Sequence, residues 1–533
     1  MSNAGGPGGH GEINRPRVFL GCFIALVATA FGFIIRATII DDWRVQFNLS
    51  QTQIGYIQGA GLYPFAISII LFSLVVDYIG YGVSMIFAFA GHVLSLVITL
   101  TARDFAQLYA GQFLFALANG IVEAVINPVV ATMYGRQKTH YLNVLHAGWP
   151  GGLVLGGLLA LGLGMLPLNF GDSVLWKVKM GLVALPTLAY GVLLFGQRFP
   201  VQERVAAGVS YLEMLREFGI ASCFITLALL VLGLNQILEV FGILLPWSVA
   251  GALVVVPTIL FGLLVRSFGR PMFVFLLLVM FLLATTELGT DSWIADIMGS
   301  VLQSQNAGDL VLVYTSFIMF VLRFFAGPIV HVISPLGLLA VSAALATIGL
   351  VTLSHAGTAA SLIFIAATIY GFGKTFFWPT TLGVVSEQFP KGGALTLNAI
   401  AGVGMLAVGT LGNPLIGMLQ DRQIDRLLAE RYTELHERVM VEKHAMLGKY
   451  RALDEAKLAT LTDEEQELVL SVVREARQAT LQQIAVLPAI MFICYVGLLV
   501  YFLSRGGYKA EVLVGHEAAD EEFTGGVEGP TEA

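Results

Sequence analysis

The chain has 533 residues, of which 56% are hydrophobic and only 12% charged, and its mean hydropathy is +0.80. This composition excludes an ordinary soluble domain, and apolar runs of ~20 residues or more can cross a ~30 Å hydrocarbon core as helices. The net charge of −7 comes largely from the tail after Glu511 and from one polar insertion. No basic patch with interleaved aromatics occurs, so nucleic acid is not an expected partner.

Taken in order, residues 1–16 read as a polar, Gly-rich N-terminal segment without the apolar core and cleavage site of a signal peptide. An N-terminal half, 17–200, holds six predicted membrane helices at 17–40, 52–76, 82–101, 105–134, 141–166 and 173–197. A linker, 201–270, carries two extra helices at 218–242 and 243–265, turned at Pro246-Trp247. Five more helices fill 271–420, at 271–298, 308–331, 335–353, 358–386 and 392–418. Residues 421–482 are charged, with helical apolar spacing at Ile424, Leu427, Leu428 and Tyr432, and Thr462-Asp-Glu-Glu465 resembles a capping box. That pattern predicts a polar helical hairpin, followed by the last membrane helix, 483–504, and an acidic tail, 505–533. The fold class expected is an all-α membrane protein of two six-helix halves plus two extra helices, about fourteen in all.

Lys and Arg gather in alternate loops: Arg15, Arg17, Arg136, Lys138, Arg198, Arg204, Arg216, Arg266, Arg270, Lys391, Arg505 and Lys509 fall on one side. The opposite loops carry mainly acids, which places both termini in the cytoplasm and the hairpin outside, in a plasma (inner) membrane. Cys22, Cys223 and Cys494 lie in apolar segments without metal-ligand spacing. No cofactor, metal or catalytic site is expected. A phosphate-binding Gly-Lys-Ser/Thr loop is lacking, and Gly371-Phe-Gly reads as a helix-packing pattern.

The halves repeat. Asp41-Asp42-Trp43 matches Asp291-Ser292-Trp293 at an offset of 250, and Ser73 to Gly80 matches Gly327 to Ser334 at 254. Glu123 and Pro128 match Lys374 and Pro379 at 251, and Leu142-Asn143 matches Leu397-Asn398 at 255. A duplicated six-helix unit is the architecture of a secondary transporter, with its solute site at the midplane between the halves.

Several stretches carry a family resemblance. Ser73-xxx-Asp77-xx-Gly80 resembles the loop between helices two and three of the major facilitator superfamily, with Ser73 for the leading Gly and Tyr81-Gly82 for the basic pair. Glu123-Ala-Val-Ile-Asn127-Pro128 with Leu142-Asn143, Glu287-xxx-Asp291-Ser292-Trp293, and Arg323-Phe-Phe-Ala-Gly327 through Ile333-Ser334-Pro335 and Leu338-Leu339 are similar to its fucose, glucose/galactose and nucleoside permease branch. The resemblance implies a proton symporter in which Glu123 takes up and releases the coupled proton. The branch's helix-one acid falls near Ala37, where this chain has Arg36.

A charge at mid-membrane depth costs at least ~2.5–3.5 kcal/mol on insertion scales, so such residues usually face a cavity. Glu123 is the candidate proton carrier, with a static ion pair to Lys374 as the bland alternative. Lys374 faces the same centre by pseudo-symmetry, either pairing with Glu123 or binding an anionic group. Arg36 lines the site or pairs with Asp41, and Glu287 lines the cavity while Asp291 caps its helix near the outer surface. Arg323 needs a carboxylate or carbonyl partner and, with Asp77, is assigned to gating. Asn119, Asn127, Asn143, His146 and Asn398 suit a hydroxylated solute; Trp149 and Trp378 could stack on it. Asn235, Gln236 and Glu239 are assigned to bonding within the extra pair. The expected function is alternating-access, proton-coupled uptake of a sugar or similar small polar solute by a monomer in the lipid bilayer. The alternatives are an organic-anion or sugar-acid transporter, and a non-transporting membrane sensor.

Overall fold

A computed structural model describes residues 13–49, 51–165, 172–240, 242–445 and 448–513. The N-terminal half comprises α1 (Arg15–Gln46), α2 (Tyr56–Ile79), α3 (Tyr81–Leu100), α4 (Phe105–Met133), α5 (Lys138–Met165) and α6 (Val174–Leu194). The extra pair is α7 (Tyr211–Glu239) and α8 (Trp247–Val265). The C-terminal half comprises α9 (Pro271–Leu302), α10 (Gln305–Arg323), α11 (Ala326–Ser354), α12 (Ala360–Gln388), α13 (Pro390–Arg431) and α14 (Asp463–Leu503). Thirteen of these are long and apolar enough to cross a membrane. The other, α10, has matching length but carries Asp309 and Arg323, and it packs against α5, α9 and α12.

Within the first half α1 lies on α5 and α6, and α4 on α2 and α3; within the second α11 lies on α12 and α14. The halves meet where α2 and α4 touch α13, and where α5 touches α10 and α12. The α1–α5 crossing is close because glycine leaves room. A Cβ on Gly152 would stand 2.6 Å from that of Ala30, and one on Gly148 2.9 Å from the Phe23 carbonyl. Close backbone approach through small residues is how membrane helices gain packing without a hydrophobic drive. At Gly373, in the Gly371-Phe-Gly pattern, a Cβ would overlap the Ala346 backbone, so α11 and α12 cross there.

Three boundaries differ from those the sequence predicts. Helix α1 continues past residue 40 because Trp43 is fully buried, edge-on to Trp176 at 5.8 Å. Gly219 (φ 70°) breaks α7, so Tyr211–Phe218 is a separate turn-in before the membrane segment. Ser334 (φ 62°, ψ 161°) ends one segment and Pro335 starts the next, while the α10 axis breaks earlier, at Phe324–Phe325.

The polar insertion is not purely helical. Its walls are the C-terminal end of α13 and the N-terminal end of α14; between them run a helix, Thr433–Val439, and an antiparallel ribbon of β1 (Met440–Ala445) and β2 (Gly448–Leu453), with β2 packed along α13. Ile424, Leu427 and Leu428 face Val469, Val472 and Val473 in a small core of their own. The Thr462–Glu465 capping box is present. Gln478 anchors the insertion to the α11–α12 turn, donating to the Leu353 and Gly357 carbonyls at 3.1 and 3.0 Å.

Candidate functional site between the halves

Three prolines build the centre by removing backbone donors. A proline has no N–H, so the carbonyl four residues earlier in its helix loses its partner. Pro128 frees Ala124, whose oxygen accepts from Asn398 Nδ2 at 2.9 Å. Pro150 frees His146, whose carbonyl accepts from Arg323 Nη1 at 2.6 Å. Pro379 frees Thr375, whose carbonyl accepts from Arg323 Nε at 2.8 Å. Each orphaned group is met by a side chain from another helix, as hydrocarbon surroundings require.

Arg323 is 1% exposed, and its Nη2 donates to Glu287 Oε1 at 3.0 Å. The other Glu287 oxygen accepts the Trp378 backbone N–H at 3.1 Å. Glu287 stands in a single π-helical turn, Thr285–Gly289, the kind of local bulge that recurs at functional sites. One turn on, Asp291 pairs with Lys374, whose ammonium also lies 5.3 Å from the Tyr370 ring. Asp291 therefore does not cap its helix at the outer surface. Lys374 does not pair with Glu123 either: the repeat relates the backbones of α4 and α12, but Lys374 reaches across to α9 within its own half.

Glu123 has a different environment. Asn127 Nδ2, one turn along α4, donates to Glu123 Oε2 at 2.7 Å, and Asn127 Oδ1 lies 2.9 Å from His146 Nε2. An amide oxygen only accepts, so His146 is the donor in that bond. No cation stands within ion-pair distance of Glu123 among the described residues. Arg36, 7% exposed, likewise forms no ion pair among them; its guanidinium lies 5.4 Å from the Phe33 ring, over Gly61. More than two turns of α1 follow it, so it is not at a helix end.

A vestibule of about 1380 Å³ opens between the halves on the side of the insertion and leads to a narrower inner pocket of about 100 Å³. The inner pocket is lined by Arg36, Asn119, Glu123, His146, Trp149, Glu287, Arg323 and Trp378, all singled out by sequence. Asn127, Asn143, Lys374 and Asn398, placed in the site by sequence, are fully buried and lie off its wall. Asn127 bridges Glu123 to His146. Asn143 ties the halves, donating to the Thr139 carbonyl at 2.8 Å and to Thr380 Oγ1 at 3.1 Å. Asn119 meets the pocket with its edge while His92 Nε2 lies 2.8 Å from its Oδ1. Asn235, Gln236 and Glu239 of α7 line the vestibule instead of serving only the extra pair, and Asp421 and Tyr450 bring the insertion into the same wall.

The sequence model for the Major Facilitator Superfamily matches residues 18–290, just over half of the chain. The chain belongs to this superfamily. Comparison with curated proteins returns no match. Among solved structures, the superfamily transporter FucP in its outward conformation is 13% identical, with a TM-score of 0.56, covering 90% of this chain and 98% of that one. The proton:xylose symporter XylE is 12% identical (TM-score 0.55, 90% and 95% covered). The human organic anion transporter MFSD10 is 12% identical (TM-score 0.58, 91% and 100% covered). These likenesses establish the major facilitator fold, whose halves enclose the cavity described above.

In this superfamily member the side bearing residues 13 and 513 is shut. Asp77 forms a buried ion pair with Arg204, from the segment after α6, and the Gln202 amide faces the same carboxylate. Lys138 Nζ reaches Glu203, in the same segment as Arg204, at 2.6 Å and donates across the halves to the Ser386 carbonyl at 3.1 Å. Glu387 accepts from Thr139 Oγ1 at 2.5 Å and from Tyr508 Oη at 2.7 Å. Sequence reasoning missed Arg204, Glu387 and Tyr508 because polar residues near helix ends look like ordinary loop chemistry. Of the two residues assigned to gating, Asp77 lies in this closed layer and Arg323 in the central pocket wall.

Proposed function

We propose that this protein is a secondary active transporter working by alternating access, and that it couples uptake of a small polar solute, such as a sugar, to protons. Two features support the reading. The cavity is open at one end and sealed at the other by contacts between the halves, the form of one end state of such a cycle. With the termini cytoplasmic, as the Lys/Arg bias implies, that state faces outward.

The observation that carries the coupling is Glu123 on the inner pocket wall, held by Asn127 and, among the described residues, by no cation. An intramembrane carboxylate so placed can change charge without breaking an ion pair, whereas Glu287 cannot. Asn127 and His146 continue from it as a hydrogen-bonded relay across α4 and α5.

The test uses proteoliposomes with an imposed inward proton gradient and radiolabelled hexoses, pentoses and their acids. Wild-type protein should accumulate its solute and lose accumulation with a protonophore. Glu123→Gln should retain solute exchange at equal concentrations while losing accumulation. Gradient-driven accumulation that survives in Glu123→Gln would remove Glu123 as the proton carrier.

A further inference from the structure

The charges on the inner pocket wall fall into two groups. Glu287 is neutralised by Arg323, and Asp291 by Lys374 behind the wall. That leaves Glu123 and Arg36, opposite in sign and not within ion-pair distance of each other. Arg36 is the more unusual, because its guanidinium is 93% withdrawn from solvent yet makes no ion pair among the described residues. A guanidinium carries five donors in a fixed fork, and leaving one buried and unmatched is costly.

Local structure holds it there for use. Gly61 lies beneath it, where residues 60–62 interrupt α2 with a turn, and a Cβ at that position would overlap Nη1. Phe33, one turn earlier, supports the cation from the side, and Trp149 lies 5.8 Å from Phe33, completing an aromatic wall. Arg36 borders both the vestibule and the inner pocket, so an incoming solute meets it before reaching Glu123. Besides Asp291, which Lys374 pairs, the other vestibule charges, Glu239, Asp309 and Asp421, lie on α7, α10 and the insertion.

We infer that the transported solute carries a carboxylate, which docks on the Arg36 guanidinium while its polar body lies between Asn119, Trp149 and Trp378. A planar carboxylate matches the guanidinium fork in two parallel hydrogen bonds, which an ammonium cannot reproduce. The inference rests on the transport reading and narrows its solute from polar in general to a small organic acid, with sugar acids included.

Binding to purified protein in detergent, without any gradient, tests it separately from proton coupling. The probes are D-glucose, D-galactose and L-fucose as neutral solutes, D-gluconate, D-glucuronate, lactate and succinate as carboxylates, and choline as a cation, at matched ionic strength. Wild type should bind at least one carboxylate and prefer it over the neutral sugars. Arg36→Gln should weaken that binding at least tenfold, and Arg36→Lys should fall between, with the unliganded melting temperature showing that each variant is folded. Carboxylate preference in detergent alongside a failure of gradient-driven accumulation would sink the coupling and leave this inference standing, which separates the two readings. Preference for neutral sugars or choline, no binding of any carboxylate, or equal carboxylate binding by wild type and Arg36→Gln would each overturn the inference.

Discussion

Around the cavity, the two halves hold their buried carboxylates in opposite ways. In the C-terminal half Glu287 and Asp291 are each matched to a cation, and Arg323 also closes two backbone carbonyls that prolines leave open. In the N-terminal half Glu123 is held by a neutral amide, and Arg36, on the same pocket wall, forms no ion pair among the described residues. The pairing makes the C-terminal side of the cavity a fixed frame and leaves Glu123 without one. The proposed cycle needs both: a wall that keeps its shape while solute and proton come and go, and a group whose charge changes as they do.

The contrast is easiest to break at Arg323. Arg323→Ala leaves Glu287 buried without a counter-charge and reopens the His146 and Thr375 carbonyls. Removing one partner of a buried pair costs about 3–5 kcal/mol, so the variant should be recovered poorly and melt far below wild type in detergent. The double variant Arg323→Met, Glu287→Gln should regain much of that loss. Lys374→Met should act in the same direction but less, about 1–3 kcal/mol for leaving Asp291 unpaired, since Asp291 is 16% exposed at its side chain and reaches the vestibule. Adding Asp291→Asn should restore it.

A smaller loss is expected at Asn398→Leu, which removes the donor to the Ala124 carbonyl. Interhelical hydrogen bonds of this kind are worth about 0.6–1.7 kcal/mol, readable as a modest fall in melting temperature. Smallest of all is Glu123→Gln, expected within about 1 kcal/mol of wild type because an amide can replace a carboxylate that has no cation to lose. A large destabilisation there would mean that Glu123 is part of the frame after all.

Much of this was readable before the structure. Glu123, Glu287 and Arg323 are conspicuous in sequence because a charge in an apolar helix is expensive, and all three line the inner pocket. The partners were not readable. Pseudo-symmetry sets Lys374 opposite Glu123 along the chain, but which way a side chain points depends on local helix rotation, and the π-turn around Glu287 and the break after Lys374 reset that rotation without altering composition. The roles of Asn143 and Asn398 also escaped, since an amide that staples a helix looks in sequence like one that greets a solute. The insertion's helical spacing was legible at Ile424, Leu427 and Leu428. Its ribbon was not, because six-residue strands with Lys443 and Lys449 carry little alternating apolar signal.

The segment after α14 has a practical consequence. Tyr508 is seated on Glu387, the Lys509 carbonyl accepts from Gln388, and the Glu511 N–H donates to the Glu387 carbonyl, so the chain's last described turn is stitched into the shut face. In the proposed cycle the shut face opens and this stitch is released, and by linkage a change that releases it favours that opening. Shortening or tagging the protein at this point is therefore a conformational perturbation, and a fluorophore at Ser504 would serve as a remote reporter of events in the pocket.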